Sequence, residues 1–267
     1  ISIVGNEYTL GISLSGTPNG SETLTVNPVS SSIYDAAGNE ASTSQSNNTV
    51  SLNDQLAPTI TGVVLAGNNA TIAVTFSEAV YNSNSGSGSL EVGDFEFSLS
   101  GGNATLSSTT PSTISIVGNE YTLGISLSGT PDGSETLTVN PVSSSIYDGE
   151  GNVASTSQSN NTISLNDQLA PVIEQVAEIS TTNNSPTYVF KSDEQGTISV
   201  GHASSSALNG FSPTTISSAE VNTNINLQWT GLAEGTYSGY YINVTDDAGN
   251  VSNTLTIPNF SVDTLGP

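Results

Sequence analysis

The chain has 267 residues, and its 24 acidic residues are matched by a single basic one, Lys191, so its formal net charge is −23. This charge excludes nucleic acid and anionic membranes as partners, because binding to either needs Lys or Arg to neutralise phosphate. Cysteine is absent, which excludes disulfides and thiolate metal sites, and no apolar run reaches the roughly 18 residues of a spanning helix, so we expect no membrane insertion.

A long internal repeat organises the chain. The stretch Ile1–Pro58 recurs as Ile114–Pro171, and only five of the 58 paired positions differ. The offset of 113 residues exceeds the roughly 20–50 residues of a solenoid repeat, so each unit should be a whole domain. We predict the C-terminal part of one repeat at 1–56, a complete repeat at 57–169 and a divergent domain at 170–267. The chain is then expected to begin in mid-domain, as a piece of a longer protein.

The repeated stretch, taken in its second copy, predicts antiparallel strands. Gly118-Asn119 separates two runs of alternating apolar residues, which is a hairpin signal. Thr130–Gly133 predicts another turn, Leu137 and Val139 alternate in the next strand, and Asp148–Asn152 forms a further tight turn. A final strand is expected between residues 153 and 165, interrupted near residue 160.

The front part of the unit occurs once, between residues 58 and 113. Apolar alternation predicts three strands there, at Ile60–Leu65, Ala70–Phe76 and Phe95–Leu99, with Asn82–Ser89 as a connector. The divergent domain follows the same logic. Its strands are expected around Tyr188–Phe190, Ile198–Val200, Ile225–Trp229, Tyr237–Val244 and Val251–Val262.

These patterns indicate the fold class. Each unit has about seven or eight short strands at close spacing and no helical periodicity, which is typical of an antiparallel β-sandwich. The sequence therefore predicts an all-β protein.

Several motifs resemble those of a known family. They are the FSEAV run at Phe76–Val80, Tyr147-Asp148 with Gly151-Asn152, the run at Glu234–Asn253, and the linkers ending in Ala57-Pro58 and Ala170-Pro171. They resemble the bacterial immunoglobulin-like repeats of giant surface proteins and adhesins. The resemblance implies tandem immunoglobulin-like antiparallel β-sandwich domains in an extended array. In many relatives such arrays are stalks that calcium stiffens between domains.

That topology predicts where acidic side chains meet. In an immunoglobulin-like sandwich, the loop after the second strand and the last hairpin turn lie at the pole where the linker arrives. Hard oxygen ligands suit Ca²⁺, which takes six to eight of them in irregular geometry. We predict two Ca²⁺ sites. The first comprises Asp54, Glu78, Asp148, Glu150 and Asn152. The second comprises Asp167, Asp193, Glu194, Asp246 and Asp247.

An alternative to the metal sites stays open at this stage. Asp-Gly and Asn residues also make good hairpin turns without a metal, and linker Asp residues are often simply solvated. The first copy also has Ala37 where the second has Glu150, although it keeps Asp35 and Asn39.

Catalysis is poorly supported, and we expect no enzyme. His202 is the only histidine and is expected in a surface loop, while Asp94 and Glu96 are expected on a solvent-facing stripe rather than as a catalytic pair. Carbohydrate binding would need exposed aromatic rings such as Trp229 or Tyr241, but Trp229 alternates with apolar residues and is expected in the core.

We therefore expect a non-catalytic stalk segment of a large bacterial cell-surface or secreted adhesin-like protein, located outside the cell. Its partners would be neighbouring repeats of the same longer chain, with surface glycans or other cells as adhesive targets. The alternatives are a carbohydrate-binding module array and a self-assembling, homo-oligomeric extracellular fibre. The fibre would use strand complementation, since residues 1–56 alone leave a sheet edge and half a core exposed.

Overall fold

The computed structural model describes residues 1–179, 185–204 and 218–264, and these residues form antiparallel β-sheets. The only helical element in those ranges is a single 3₁₀ turn at Val92–Asp94. No helix in them has the length and apolar character that crossing a bilayer requires. The prediction of an all-β protein is confirmed.

The chain divides into two compact units. The first contains residues 1–100, 105–128 and 136–163, and the second contains residues 101–104, 129–135 and the described residues from 164 onwards. The domain boundaries expected after residues 56 and 169 stay a prediction.

Thirteen strands occupy the first copy and the complete repeat. They are β1 (Ser2–Val4), β2 (Glu7–Thr9), β3 (Thr23–Thr25), β4 (Thr49–Ser51), β5 (Ile60–Leu65), β6 (Thr71–Phe76), β7 (Phe95–Ser100), β8 (Thr105–Leu106), β9 (Ile114–Val117), β10 (Glu120–Gly124), β11 (Leu127–Ser128), β12 (Thr136–Pro141) and β13 (Thr162–Ser164). The larger sheets have the orders β5-β6-β10-β9 and β13-β12-β7, and β11 pairs with β8. The first copy forms only the two-stranded sheets β1-β2 and β3-β4.

The two larger sheets share one apolar core. Ile72, Val74 and Phe76 alternate along β6 and are buried, as the period of a half-buried strand requires. Phe76 meets Phe95 of the other sheet at a ring-centroid distance of 6.3 Å, and Tyr121 packs edge-on against Phe76 at 5.6 Å. This β-sandwich-like packing confirms the strands predicted from the front part of the repeat.

The predicted hairpin is also confirmed. β9 pairs with β10 so that Val117 lies opposite Glu120, and Gly118 between them has a φ of 60°, which glycine adopts at no steric cost. The last strand of the repeat is more interrupted than predicted. Its pairing consists of a bridge from Tyr147 to Val153 and the short β13.

The second unit contains nine strands among the described residues. They are β14 (Ile173–Ala177), β15 (Thr187–Ser192), β16 (Gly196–His202), β17 (Ser218–Ala219), β18 (Ile225–Gln228), β19 (Gly235–Tyr237), β20 (Tyr240–Thr245), β21 (Leu255–Thr256) and β22 (Phe260–Val262). Their sheets have the orders β14-β15-β18, β17-β16-β20-β21 and β19-β22.

The core of the second unit contains the only tryptophan. Trp229 is fully buried with Tyr188, Phe190 and Leu227, so its predicted core position is confirmed. Two strands predicted as continuous are each divided in two: Tyr237–Val244 into β19 and β20, and Val251–Val262 into β21 and β22. The first break coincides with Gly239, whose φ of 78° is incompatible with an extended strand.

Candidate metal centre

A five-residue turn with the pattern Asp-x-x-Gly-Asn begins at Asp148. The Oδ1 atom of Asp148 accepts hydrogen bonds from the main-chain N–H groups of Glu150, at 3.0 Å, and Asn152, at 2.7 Å. Gly151 has a φ of 92°, which lets the chain close the turn. The aspartate side chain thus closes the turn from inside, and this explains why Asp148 is buried.

The asparagine that ends this turn also holds the incoming linker. Its Nδ2 atom donates to Oδ2 of Asp148 at 2.7 Å and to the main-chain carbonyl of Asp54 at 3.3 Å. Asp54 is further held because its own Oδ1 accepts from the N–H of Leu56 at 2.8 Å. On its other side, the linker donates from the N–H of Gln55 to the carbonyl of Pro18 at 3.0 Å.

The second unit repeats this arrangement. Asp246 accepts from the N–H of Asn250 at 2.8 Å, and Nδ2 of Asn250 donates to Oδ2 of Asp246 at 2.9 Å and to the carbonyl of Asp167 at 3.4 Å. The N–H of Gln168 donates to the carbonyl of Pro131 at 2.9 Å. Both linkers are therefore fixed by the same pair of main-chain contacts.

Three carboxylates converge at each turn. Asp54, Glu78 and Asp148 each have a carboxylate oxygen within 4.8 Å of the other two, and Asp148 is buried while the others are half-buried. The same relationship and burial pattern hold in the second unit. Its members are Asp167, Glu194 and Asp246. The predicted convergence of linker, loop and turn is thus present twice, in each case within one compact unit.

The electrostatics of both groups are unfavourable without a counter-charge. Burial raises the pKa of Glu78, and the charges of Asp148 and Asp54 raise it further. Burial likewise raises the pKa of Glu194, followed by the charges of Asp167 and Asp246. The one basic residue does not compensate either group, because Lys191 pairs with Glu174 at 2.6 Å on the surface.

The donor atoms fit a hard divalent cation. Three carboxylates offer up to six oxygens, and neither group contains a thiolate or an imidazole. Ca²⁺ takes six to eight oxygens at irregular angles, so such a set would suit it. Asp148 and Asp246 already use part of their lone-pair capacity on the turn, which leaves their remaining capacity for a cation.

Four of the predicted ligands lie outside these groups or contribute differently. Glu150 and Asp247 are exposed, and Oδ1 of Asp193 accepts from the N–H of Val172 at 2.6 Å. Asn152 turns its nitrogen, not its oxygen, towards Asp148 and therefore acts as a clamp.

Sequence reasoning missed two features of the sites. Asn250 has the same role as Asn152, and the shared Asp-x-x-Gly-Asn spacing was the signal that identifies it. The main-chain carbonyls of Asp54 and Asp167 are also part of the arrangement, although no sequence pattern marks a carbonyl.

The residues considered for catalysis have structural roles. His202 is the last residue of β16 rather than a loop residue, and its ring nitrogens lie 2.9 Å from the carbonyls of Ser204 and Ser238. Glu96 is exposed on β7, as predicted, and Asp94 accepts from the N–H of Glu91 at 2.7 Å in the 3₁₀ turn.

No protein-family model, curated protein or solved structure matches the chain. A functional interpretation therefore depends on the geometry of these sites and on the internal repeat.

Proposed function

We propose that this chain is a non-catalytic stalk segment of a large bacterial cell-surface or secreted adhesin-like protein, built from tandem immunoglobulin-like β-sandwich domains. The sandwich-like packing of short antiparallel strands supports the fold, and the near-verbatim repeat supports an extended array. The formal charge of −23 suits a chain that stays soluble and does not bind itself or anionic surfaces.

One observation carries this proposal: the same four-residue arrangement occurs at two linkers. Identical linker sequences, Asn53–Pro58 and Asn166–Pro171, meet turns and loops whose sequences differ. The glutamates come from dissimilar segments, FSEAV and KSDEQ, yet each reaches within 4.8 Å of its two partners. The recurrence of this geometry in different sequence contexts supports a role at the linker, and a role in linker rigidity fits a stalk.

Ca²⁺ is the cation that we propose for both sites. A bound ion would remove the repulsion among three carboxylates and would join linker, loop and turn through one centre. It would supply charge and coordination only, so no reaction is implied. The linker would then lose the freedom to pivot about its two main-chain contacts.

The test combines calorimetry with small-angle scattering on the full chain. We expect two Ca²⁺ ions to bind per chain, and the maximum dimension to become shorter and less defined in EDTA. Substitution of Glu78→Gln together with Glu194→Gln should weaken binding about tenfold or more, because one charged ligand is lost per site. The matched control is Glu96→Gln with Glu120→Gln, two carboxylates outside both groups. An absence of Ca²⁺ binding and an unchanged scattering profile would contradict the proposal.

Carbohydrate binding has less support from the structure. Trp229 is fully buried and offers no stacking surface, and Tyr240 is also buried. Tyr241 is half-buried on β20 and is the remaining ring of that pair. Single exposed rings of this kind are common on proteins without a glycan ligand.

A further inference from the structure

The two copies of the repeat have the same residues but opposite exposure. Tyr121 is 3% exposed, whereas its counterpart Tyr8 is 62% exposed, and Leu123 is fully buried whereas Leu10 is 46% exposed. The same contrast separates three further pairs: Ile12 and Ile125, Val26 and Val139, Ile33 and Ile146. None of the five substitutions between the copies falls on these positions. The first copy therefore exposes a surface that the same sequence buries elsewhere in the molecule.

In the complete repeat, the front part of the unit covers this surface. β6 pairs with β10 so that Val74 lies opposite Tyr121 and Ile72 lies opposite Leu123. β7 pairs with β12 so that Phe97 lies opposite Val139. The covering segment thus contributes one strand to each of the two sheets.

The first copy lacks both strands. Among the described residues, β2 pairs only with β1 and β3 only with β4, so the edges that β10 and β12 use to bind β6 and β7 are open. Between these edges lies an apolar groove of ≈ 550 Å³, whose lining includes Tyr8, Leu10, Ile12, Leu24 and Val26. Two open edges that flank an apolar groove are what an added strand pair needs.

We infer that this groove is an acceptor site for a polypeptide segment of the same type as residues 58–113. The required chemistry follows from the complete repeat. One strand carries apolar residues at the positions of Ile72, Val74 and Phe76, and the other carries aromatic residues at the positions of Phe95 and Phe97. Main-chain pairing supplies the register, and the alternating side chains fill the groove.

A second copy of this chain does not satisfy the site. Each chain contains one front segment, residues 58–113, and two back segments, residues 1–57 and 114–170. If one chain lent its front segment to another, its own back segment at 114–170 would lose its cover, and the number of exposed grooves would not change. The occupant is therefore an additional segment of the 58–113 type, and a homopolymer made by simple exchange of this segment gains nothing.

The test adds such a segment in the natural order. A second copy of residues 58–113 is placed before Ile1, so that the new Thr113–Ile1 bond reproduces the existing Thr113–Ile114 bond. Amide hydrogen exchange is then measured for residues 7–10 and compared with that of residues 120–123. We expect protection of residues 7–10 to rise on the order of 100-fold, because their amides change from an open edge to a buried sheet. The control carries Ile72→Asp and Val74→Asp in the added segment only.

Two results would overturn the inference. One is unchanged exchange of residues 7–10 in the extended chain. The other comes from Leu10→Asp in the original chain, which we expect to shift the melting temperature by less than about 1 °C because the side chain is exposed. If Leu10→Asp destabilises the chain, or if sedimentation shows a dimer that Leu10→Asp dissociates, the groove is already covered by another surface.

Discussion

The side-chain amide of Asn250 donates a hydrogen bond to the main-chain carbonyl of Asp167, which lies 83 positions earlier, at 3.4 Å. Asn152 makes the equivalent contact with Asp54 at 3.3 Å. Each contact connects a linker to the turn that also holds the buried member of a carboxylate group. The turn therefore fixes the linker directly, and it holds an acidic side chain in the position where a cation would strengthen the same connection.

Removal of this clamp should cost measurable stability. For Asn152→Ala we expect the free energy of unfolding to fall by about 1–2 kcal/mol, since the carboxylate of Asp148 and the carbonyl of Asp54 each lose a donor. Asn39→Ala is the matched control, because Asn39 makes the same bond to Asp35 at 2.8 Å on an exposed turn. Chemical denaturation monitored by circular dichroism measures the difference. Equal losses from the two variants would show that the contact with the linker contributes nothing.

Neutralising Glu78 should have opposite effects with and without metal. Glu78→Gln removes the repulsion by Asp148 and Asp54 that raises the pKa of Glu78, so the metal-free chain should melt at the same or a higher temperature. The increase in melting temperature on addition of Ca²⁺ should shrink, because a charged ligand has been lost. Glu96→Gln, on the exposed face of β7, should change neither value. A Glu78→Gln chain with an undiminished Ca²⁺ response would remove Glu78 from the site.

The stability of the metal-free chain should depend on pH in a defined direction. The pKa values of Glu78 and Glu194 are raised above 4.5, so between pH 4.5 and the raised pKa the folded state binds more protons than the unfolded state. The free energy of unfolding therefore falls as pH rises through this window. We expect a higher melting temperature at pH 5 than at pH 7 in EDTA, and a smaller difference in the Glu78→Gln, Glu194→Gln chain.

Ca²⁺ should reverse this trend, since it binds the deprotonated carboxylates. With millimolar Ca²⁺, the melting temperature at pH 7 should exceed that at pH 5. Below about pH 4, the lowered pKa of Asp132, which follows mainly from its hydrogen bonds with Ser134, adds a loss of stability of the opposite sign. A melting temperature that rises steadily from pH 5 to pH 7 in EDTA would contradict the assigned repulsion.

Glu135 should be a strong stabilising residue despite its charge. It is fully buried, and its carboxylate accepts from the N–H groups of Asn103 at 2.9 Å, Ala104 at 2.8 Å and Asp132 at 3.2 Å. Glu135→Ala leaves these donors unpaired in the interior, and we expect a loss of about 3 kcal/mol or more. The control is Glu22→Ala at the equivalent position of the first copy.

The control should have a much smaller effect, because Glu22 is exposed and bonds the N–H of Asn19 at 3.1 Å on an open surface. We expect a loss below about 0.5 kcal/mol there. Thermal denaturation of both variants measures this difference. Similar losses would mean that burial of the carboxylate does not decide its contribution.

Much of the local structure was predictable from the sequence because it follows from short-range periodicity. The alternation of Ile72, Val74 and Phe76 predicted which face of β6 is buried, and Gly118-Asn119 predicted the hairpin between β9 and β10. Sequence also predicted that Asp54, Glu78 and Asp148 converge, since chain order limits which loops share a pole. It did not predict the division of Tyr237–Val244, because the positive φ of Gly239 arises where the chain changes sheets.

Only the tertiary structure decided which acidic residues form the groups. Asp148 and Glu150 belong to one turn, but the side chain of Asp148 closes that turn from inside while Glu150 faces solvent. The contrast between Tyr8 and Tyr121 shows the same limit. Each lies in an identical local sequence, so both have the same tendency to form a strand with an apolar face. Whether that face is buried depends on a separate segment that pairs with it, and a local sequence does not contain its own cover.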